Sequence, residues 1–420
     1  MSFKDKSSNK AFFNVIIQII PITVSLITIP LAINNLGKPL WYLFTLGLTV
    51  ILLPNYFSFG IGPFLTRDLS TKDNFMQSSS WLGSISLIKV IGLLFFVLTN
   101  FYFYFSELEK PFLIKSDQFY FFFFFIFSSI VYFFLIPLRS IIESKQDFYF
   151  LGTIRAVFTS LLMLTPIFSY NSIWFCSFII LILSLFQFFF YLLRLKYYHN
   201  QNIKGLFIGF SKIEMKKTIL KTWPFGGYLF VWSILLYSDR FILKTFIEIE
   251  TLSDHVTMQD LFNRLAIISG NLTAVFYPVI SKNKDNPSVI DKYYKKQIFL
   301  ISISFISLFF ILMFALKPFL AFWLKNKYSF YIDDFSFLYL IGIMIFNFSI
   351  IQVRTLQAIG FEVFVLKILI STSIFYLISV FILGYLEKPY LFSIILIIQS
   401  LIVIITLHKK YVKEKNIRTI

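Results

Sequence analysis

The stretch Phe119–Leu138, FYFFFFFIFSSIVYFFLIPL, carries no charged residue from end to end. About 20 predominantly apolar residues are what an α-helix needs to cross the hydrocarbon core of a bilayer. The run Phe121–Phe125 within it is fully apolar, which predicts a lipid-facing or closely packed helix face and no binding motif. This stretch therefore predicts a transmembrane helix.

Comparable apolar stretches recur along the chain of 420 residues, of which 58% are hydrophobic and only 14% are charged. Soluble domains carry about a quarter charged residues, so these charges are too few to cover a soluble surface. The sequence predicts an all-α integral membrane protein with about twelve transmembrane helices. We place the spans at 11–33, 40–62, 81–105, 119–138, 148–169, 172–193, 222–247, 256–280, 298–323, 335–353, 364–385 and 391–407.

The distribution of basic residues sets the expected topology. With a cytoplasmic N-terminus, the inside segments hold 25 Lys and Arg and the outside loops hold 6. Basic residues concentrate in cytoplasmic loops, so we expect a multi-pass membrane protein with both termini in the cytoplasm. These loops explain the net charge of +17 without a nucleic-acid partner. Span 11–33 is longer than a signal-peptide core and is expected to be retained.

The largest basic loop divides the chain into two lobes of six helices. We expect an N-terminal lobe at 1–200, a cytoplasmic linker at 201–221, and a C-terminal lobe with a basic tail at 222–420. Lobes of six spans each enter the membrane in the same orientation. An axis along the membrane normal would then relate them around a central cavity that holds the substrate, which is a known transporter plan.

A weak internal repeat supports this division. A shift of 215 residues places Pro63–Arg67 on Pro278–Lys282 and Arg139–Ile141 on Arg354–Leu356. The same offset at two separate hairpins predicts that the two lobes are structural copies of each other.

Basic residues inside predicted spans are the candidate substrate-binding residues. A charge near the bilayer centre costs at least ~2.5 kcal/mol, so such residues usually face a bundle interior or an aqueous cavity. Their excess over acidic residues predicts an anionic substrate, and guanidinium groups bind phosphate oxygens in a bidentate fork. Snorkelling from a span end remains open for the two lysines. The candidates are Arg240, Arg264, Arg155, Lys89 and Lys367.

Two acidic residues are candidates for ion coupling. Asp239 is adjacent to Arg240, but neighbouring residues of a helix do not face each other. Asp239 could instead meet Arg264 or Asp260 across the bundle. A structural ion pair and an ion-coupling role both remain open for Asp239 and Asp260.

Prolines and glycines mark candidate bending points in the first helix of each lobe. They are Pro21 in the first span and Pro224, Gly226 and Gly227 in the seventh. Such positions can serve alternating access, and static kinks are the alternative.

Other chemistry finds little support in the sequence. The three histidines lie far apart, and the single cysteine, Cys176, lies in an apolar stretch, so we expect no metal site. No Walker loop and no Ser/His/Asp arrangement is present, so we expect neither a cofactor nor an enzyme.

Several short segments resemble the Wzx-type O-antigen and polysaccharide-repeat flippases of the multidrug/oligosaccharidyl-lipid/polysaccharide exporter superfamily. The resemblance covers nearly the whole chain. It rests on Asn14, Thr28–Leu31, Asn35–Gly37, Phe59–Gly62, Thr66–Asp68, Ile136–Ser140 with Glu143, Ser238–Leu243, Arg264–Leu265, Phe276–Ser281 and Ala358–Gly360. The stretch Glu248–Met258 departs from the family pattern, since it lacks the glycine and the tyrosine expected there.

The resemblance implies a flippase that moves undecaprenyl-diphosphate-linked oligosaccharide repeat units from the cytoplasmic to the periplasmic leaflet for surface polysaccharide synthesis. It implies a protein of the bacterial inner membrane with a cationic cavity between two six-helix lobes. The implied partners are the lipid-linked oligosaccharide, membrane lipids, a polysaccharide polymerase and a chain-length regulator, with the flippase itself monomeric. A drug/cation antiporter of the same superfamily is the alternative, although it would favour carboxylates in the cavity. An O-antigen polymerase is less favoured, because the outside loops are short.

Overall fold

The computed structural model describes a helical protein. The described residues are 6–71, 79–106, 115–168, 173–200, 209–243, 245–246, 259, 262, 266–323, 331–386 and 391–419. Within these ranges the regular structure is helical. The helices of the first half are α1 (Lys6–Ile16), α2 (Ile19–Phe57), α3 (Ile61–Ser70), α4 (Ser79–Ser106), α5 (Lys115–Ser144), α6 (Phe148–Phe168) and α7 (Ile173–Leu193). Those of the second half are α8 (Lys212–Leu243), α9 (Ala266–Lys282), α10 (Pro287–Trp323), α11 (Tyr331–Ala358), α12 (Glu362–Tyr385) and α13 (Phe392–Thr419).

Among the described residues, nine segments are long and apolar enough to cross a membrane. They correspond to predicted spans 1, 3–6 and 9–12. Predicted spans 2, 7 and 8 are not among the nine, and part of spans 7 and 8 lies outside the described residues. The expected all-α, multi-pass fold class is confirmed.

The chain forms two compact units, Met1–Gly226 and Gly227–Ile420. The boundary falls inside α8, and this helix also includes part of the 201–221 stretch that we predicted as a linker. Residues 212–221 of that stretch are the first turns of α8. They pack closely on α4, because Gly83 lies directly against Glu214 and Thr218. This packing places the start of α8 with the first unit.

The two units repeat the same helix order and the same packing partners. Shifted by 215 residues, α5 would run from 330 to 359, and α11 spans Tyr331–Ala358. The most extensive contact in the first unit joins α5 to α7, and in the second unit it joins α11 to α13. The pairs α3–α5 and α9–α11 also correspond, as do α6–α7 and α12–α13. The repeat detected in two short segments therefore extends over most of each unit.

The first helices differ from the prediction. We expected a turn near residues 34–39, but α2 is helical for 39 residues. At 1.5 Å per residue its contour length is roughly 58 Å, well beyond the ~30 Å hydrocarbon core. Polar residues restrict where a side chain is placed relative to lipid. Polar residues do not prevent helical hydrogen bonds of the backbone, so a helix can continue from the membrane into water.

Pro21, one of the predicted bending points, lies just after a break between two helices. The turn at Ile17–Gln18 separates α1 from α2, and Pro21 is in the first turn of α2. Proline has no N–H to donate to the carbonyl four residues earlier, which here is that of Ile17. The break thus follows directly from the sequence.

Aromatic residues of α5 belong to an apolar cluster in the core of the first unit. Phe121 and Phe125 are fully buried and belong to one apolar cluster with Phe44 of α2 and with Cys176 and Ile180 of α7. Part of the phenylalanine run therefore packs inside the protein. Cys176 is a buried thiol in this cluster, as expected from its apolar surroundings in the sequence.

Replacement by alanine is expected to have opposite effects on stability at two glycines of α4, Gly83 and Gly92. A Cβ on Gly83 would lie 2.1 Å from Thr218 Oγ1 and 2.5 Å from the Glu214 carbonyl oxygen, whereas a Cβ on Gly92 would meet nothing within 4 Å. Overpacking of this kind costs about 1–3 kcal/mol, and alanine gains about 1 kcal/mol over glycine inside a helix. We expect Gly83→Ala to lower the melting temperature of the detergent-solubilised protein and Gly92→Ala to hold or raise it. A melting temperature for Gly83→Ala equal to that of Gly92→Ala would contradict the close packing of α8 on α4.

Candidate functional site

The central candidate is a cluster in the first unit, the Glu143 cluster, formed by Thr66, Arg139, Glu143 and Arg155. Glu143 Oε1 accepts hydrogen bonds from Arg139 Nε and from Arg155 Nη2, each at 2.7 Å. Thr66 Oγ1 donates to Glu143 Oε2 at 3.2 Å. The side chains of Glu143 and Arg155 are only 12% and 17% exposed, and that of Arg139 is 40% exposed. Two guanidinium groups thus share one carboxylate in a largely buried position.

Three helices bring these residues together. Arg139 and Glu143 lie one turn apart at the end of α5, where residues at i and i+4 face each other. The chain then turns tightly through Lys145–Asp147, with Gln146 in the left-handed region at φ 60°, so that Arg155 returns on α6 beside them. Thr66 is supplied by α3, which is held to α5 where Ser140 Oγ donates to the Gly62 carbonyl at 3.1 Å.

The cluster carries a net positive charge. Each buried ion is expensive to remove from water, and this cost is recovered only through close, well-oriented pairing. One carboxylate neutralises only one of the two guanidinium groups. The more exposed of them, Arg139, is therefore able to meet an external anion while Arg155 is held in place.

A second ionic group closes the turn between α5 and α6. Asp147 Oδ2 accepts from Arg194 Nε at 2.7 Å and lies 3.2 Å from His199 Nε2. Burial of Asp147 opposes its charge, but hydrogen bonds from His199 and Arg194 prevail and lower its pKa to about 2. A lowered pKa means that the stabilisation is present above the ordinary pKa of a carboxyl group and is lost only as the pH falls toward 2. Asp147 therefore stays ionised and fixes the end of α7 at neutral pH.

In the second unit, an arginine occupies the position equivalent to Arg139. Arg354 lies in α11, and its Cζ is 5.9 Å from the ring centroids of both Tyr228 and Tyr277. Residue 358, which corresponds to Glu143 in the repeat, is alanine. The two units thus present the same arginine with different neighbours.

Of the predicted basic residues whose side chains the structure describes, only Arg155 lies in the Glu143 cluster. Lys89 is partly exposed and donates from Nζ to the Gly209 carbonyl at 3.0 Å. Lys367 is an exposed residue of α12. Arg240 and its neighbour Asp239 lie on α8, but their side chains are outside the described part of the structure. Arg264 and Asp260 lie outside the described residues altogether.

The predicted bending residues of the seventh span lie within a continuous helix, since α8 runs through Pro224 without interruption. Gly226 lies against the backbone of Phe59, at 2.8 Å from its Cα to the position of an added Cβ. Gly227 lies against the side chain of Leu366, at 2.9 Å by the same measure. Both glycines therefore allow close packing.

Sequence reasoning did not include Arg139, Glu143 or Arg354 among the site residues. The signal was present for two of them, because Arg139 and Glu143 have the i, i+4 spacing of a helical ion pair. Among the described residues, no group of three or more His, Cys, Asp and Glu could hold a metal ion.

No protein-family model and no curated sequence matches this chain. Solved structures match it over nearly its full length. An outward-facing multidrug resistance MATE family transporter of the MOP superfamily is 14% identical, with a TM-score of 0.76 over 99% of this chain and 98% of that one. The Vibrio cholerae MATE transporter VcmN in its bent form is 12% identical, with a TM-score of 0.73 over 98% of each chain.

A third similar structure is a MOP superfamily transporter from Pyrococcus furiosus, which is described as having a binding pocket of reverse polarity that suggests a different function. It is 12% identical, with a TM-score of 0.76 over 100% of this chain and 98% of that one. These structures are those of transporters, and no catalytic family is indicated. The chain is therefore a multi-pass membrane protein with the fold of the MATE transporters of the MOP superfamily.

Proposed function

We propose that this protein is a flippase that moves undecaprenyl-diphosphate-linked oligosaccharide repeat units from the cytoplasmic to the periplasmic leaflet. The observation that carries the proposal is the net positive charge of the Glu143 cluster. A diphosphate is the anionic part of such a substrate, and arginine binds phosphate oxygens through parallel N–H donors. In the predicted topology the cluster lies at the cytoplasmic ends of α5 and α6, at the depth where the diphosphate of a lipid in that leaflet resides.

The distribution of acidic residues in the described spans supports an anionic substrate. In the nine candidate spans the acidic residues are Glu143, Asp291, Glu362 and Glu414. Each lies within about two turns of a helix end, and Glu143 is already bound by two arginines. Lys89 lies farther from the ends of its helix, whereas Arg155 is about two turns and Lys367 between one and two turns from the start of theirs. We propose that Arg240 and Arg264 also bind the anionic substrate, with Asp239 and Asp260 as ion-pairing or ion-coupling groups.

A drug/cation antiporter is the second candidate, and the solved structures with this fold favour it. The matched proteins include a multidrug resistance transporter. Binding of an organic cation is best served by a carboxylate in the cavity. The Pyrococcus furiosus transporter supports the possibility that pocket polarity differs between proteins of this fold.

Loss of the gene tests the proposal in the bacterium that carries it. Surface polysaccharide should disappear while lipid-linked repeat units accumulate in the membrane. Normal surface polysaccharide, combined with greater sensitivity to cationic drugs, would favour the antiporter.

We expect Arg139→Gln to reduce the flipping rate about tenfold or more, because a hydrogen bond to a charged group contributes about 1.5–3 kcal/mol. Arg139→Lys should retain part of the rate, since it keeps the charge without the planar fork. The measurement is translocation of a labelled lipid-linked oligosaccharide in proteoliposomes. Lys145→Gln, an exposed lysine just beyond α5, is the matched charge control. Equal rates for Arg139→Gln and Lys145→Gln would remove Arg139 from the proposed site.

A further inference from the structure

Arg354 lies in the last turns of α11 between two buried tyrosines. Tyr228 belongs to α8 and Tyr277 to α9, and each is only 4% exposed. The guanidinium carbon lies 5.9 Å from both ring centroids, close to the ~6 Å outer limit of a cation–π contact. Arg354 therefore lies near two aromatic rings in a partly buried position.

Comparison of the repeats shows what Arg354 lacks. In the first unit, the charge of Arg139 is met by Glu143 one turn later, at 2.7 Å. In the second unit, the residue one turn after Arg354 is Ala358. Within the described part of the chain, no carboxylate forms an ion pair with Arg354, and no oxygen accepts a hydrogen bond from its guanidinium group.

A guanidinium group has five N–H donors, and two aromatic faces satisfy none of them in the plane of the group. The stabilisation from a cation–π contact is small beside the cost of partly burying an unpaired charge. The surroundings in α11 are polar, since Gln352 and Thr355 are buried beside Arg354 in the chain. An oxyanion in the plane of the guanidinium would complete the pairing that Glu143 supplies in the first unit.

We propose that Arg354, with Tyr228 and Tyr277, forms a second anion-binding site whose ligand is a phosphate or diphosphate group. This inference rests on the proposed function, because the choice of a phosphate-bearing ligand follows from it. The two tyrosine rings hold the guanidinium group with its donor edges available, and the absence of a carboxylate at position 358 leaves those edges for the ligand. A phosphate of the lipid-linked substrate and the headgroup of an anionic phospholipid share this chemistry.

Binding of inorganic pyrophosphate to the purified full-length protein in neutral detergent tests the site without requiring transport. We expect Arg354→Gln to weaken binding at least tenfold and Arg354→Lys to weaken it less. Lys409→Gln, which removes an exposed charge of α13, is the matched control and should bind as the unchanged protein does. Equal affinity for Arg354→Gln and Lys409→Gln would overturn the proposal.

Ala358→Glu provides a test that keeps the arginine. It recreates the i, i+4 pair of the first unit, so the new carboxylate should occupy the guanidinium group and weaken pyrophosphate binding as Arg354→Gln does. Undiminished binding by a folded Ala358→Glu protein would contradict the proposal. This variant and Arg354→Lys also decide the question if Arg354→Gln does not fold.

Nanodiscs of defined composition identify the source of the phosphate. Competition between phosphatidylglycerol and pyrophosphate at Arg354 would assign the site to a lipid headgroup, and its absence would assign it to the diphosphate of the substrate. Absence of flipping by the unchanged protein, together with pyrophosphate binding that depends on Arg354, would count against the proposed function alone. Flipping that persists in Arg354→Gln with unchanged pyrophosphate binding would count against this site alone.

Discussion

Replacing Glu143 with glutamine is expected to destabilise the protein by about 3 kcal/mol. Removing one partner of a buried ion pair leaves the other charge without compensation, which costs about 3–5 kcal/mol. Here two guanidinium groups lose their shared carboxylate, but the 40% exposure of Arg139 lets water recover part of the loss. We therefore expect the lower end of that range. The measurement is the melting temperature of the detergent-solubilised protein at neutral pH.

Glu214→Gln is the matched control for this change. Glu214 pairs with Lys217 at 2.7 Å, but the lysine side chain is 60% exposed. Exposed pairs of this kind contribute about 0–1 kcal/mol, so the control should melt close to the unchanged protein. If Glu143→Gln melted with the control, the Glu143 cluster would not be a significant source of stability.

The double variant Glu143→Gln/Arg155→Met separates a structural role of Arg155 from a role in transport. Removing the second charge with the first should restore much of the stability, because one uncompensated guanidinium group is gone. If Arg155 only pairs with Glu143, flipping should recover together with stability. Recovered stability without flipping would favour the interpretation that Arg155 contacts the substrate.

The repeat and the spans were accessible from the sequence because both depend on local residue types. Apolar stretches of membrane-crossing length identify α5 without reference to the rest of the chain. The shift that overlays Arg139 on Arg354 also required only a comparison of letters. Among the described residues, the structure reproduces the repeat and nine of the twelve predicted spans.

The Glu143 cluster could not be derived in the same way. Its pairing depends on the sharp turn after Ser144, where Gln146 takes a positive φ, and on the approach of α3. The cost of a charge in a membrane identified Arg155, but that cost does not reveal which residue compensates it. The expected turn near residues 34–39 differed for a related reason, because hydropathy measures where side chains prefer to lie and not how the backbone runs.

Gly60→Ala is expected to have the second large effect, a loss of stability of about 2–5 kcal/mol. Gly60 has φ 70°, a left-handed conformation that costs a non-glycine residue about 1–2 kcal/mol. An added Cβ would also lie 2.3 Å from Phe225 Cβ and 2.5 Å from the Gly226 nitrogen. Because one of these atoms belongs to the backbone of α8, a side-chain rotation cannot relieve the contact, and overpacking adds about 1–3 kcal/mol.

Gly62→Ala is the matched control. Gly60 and Gly62 both lie in the Phe59–Gly62 segment, but the left-handed backbone and the closest contacts occur at Gly60. A Cβ on Gly62 would meet its nearest atom, Ile136 Cγ2, at an ordinary 3.5 Å. Gly62 is the second residue of α3, where alanine fits the helical backbone without strain. Gly62→Ala should thus melt at or above the unchanged protein, while Gly60→Ala melts well below it. Similar melting temperatures for the two variants would mean that α8 does not pass so close to residue 60. The close approach of Gly226 to Phe59 would then need another explanation, because Gly60 and Gly226 lie where the same two backbone segments meet.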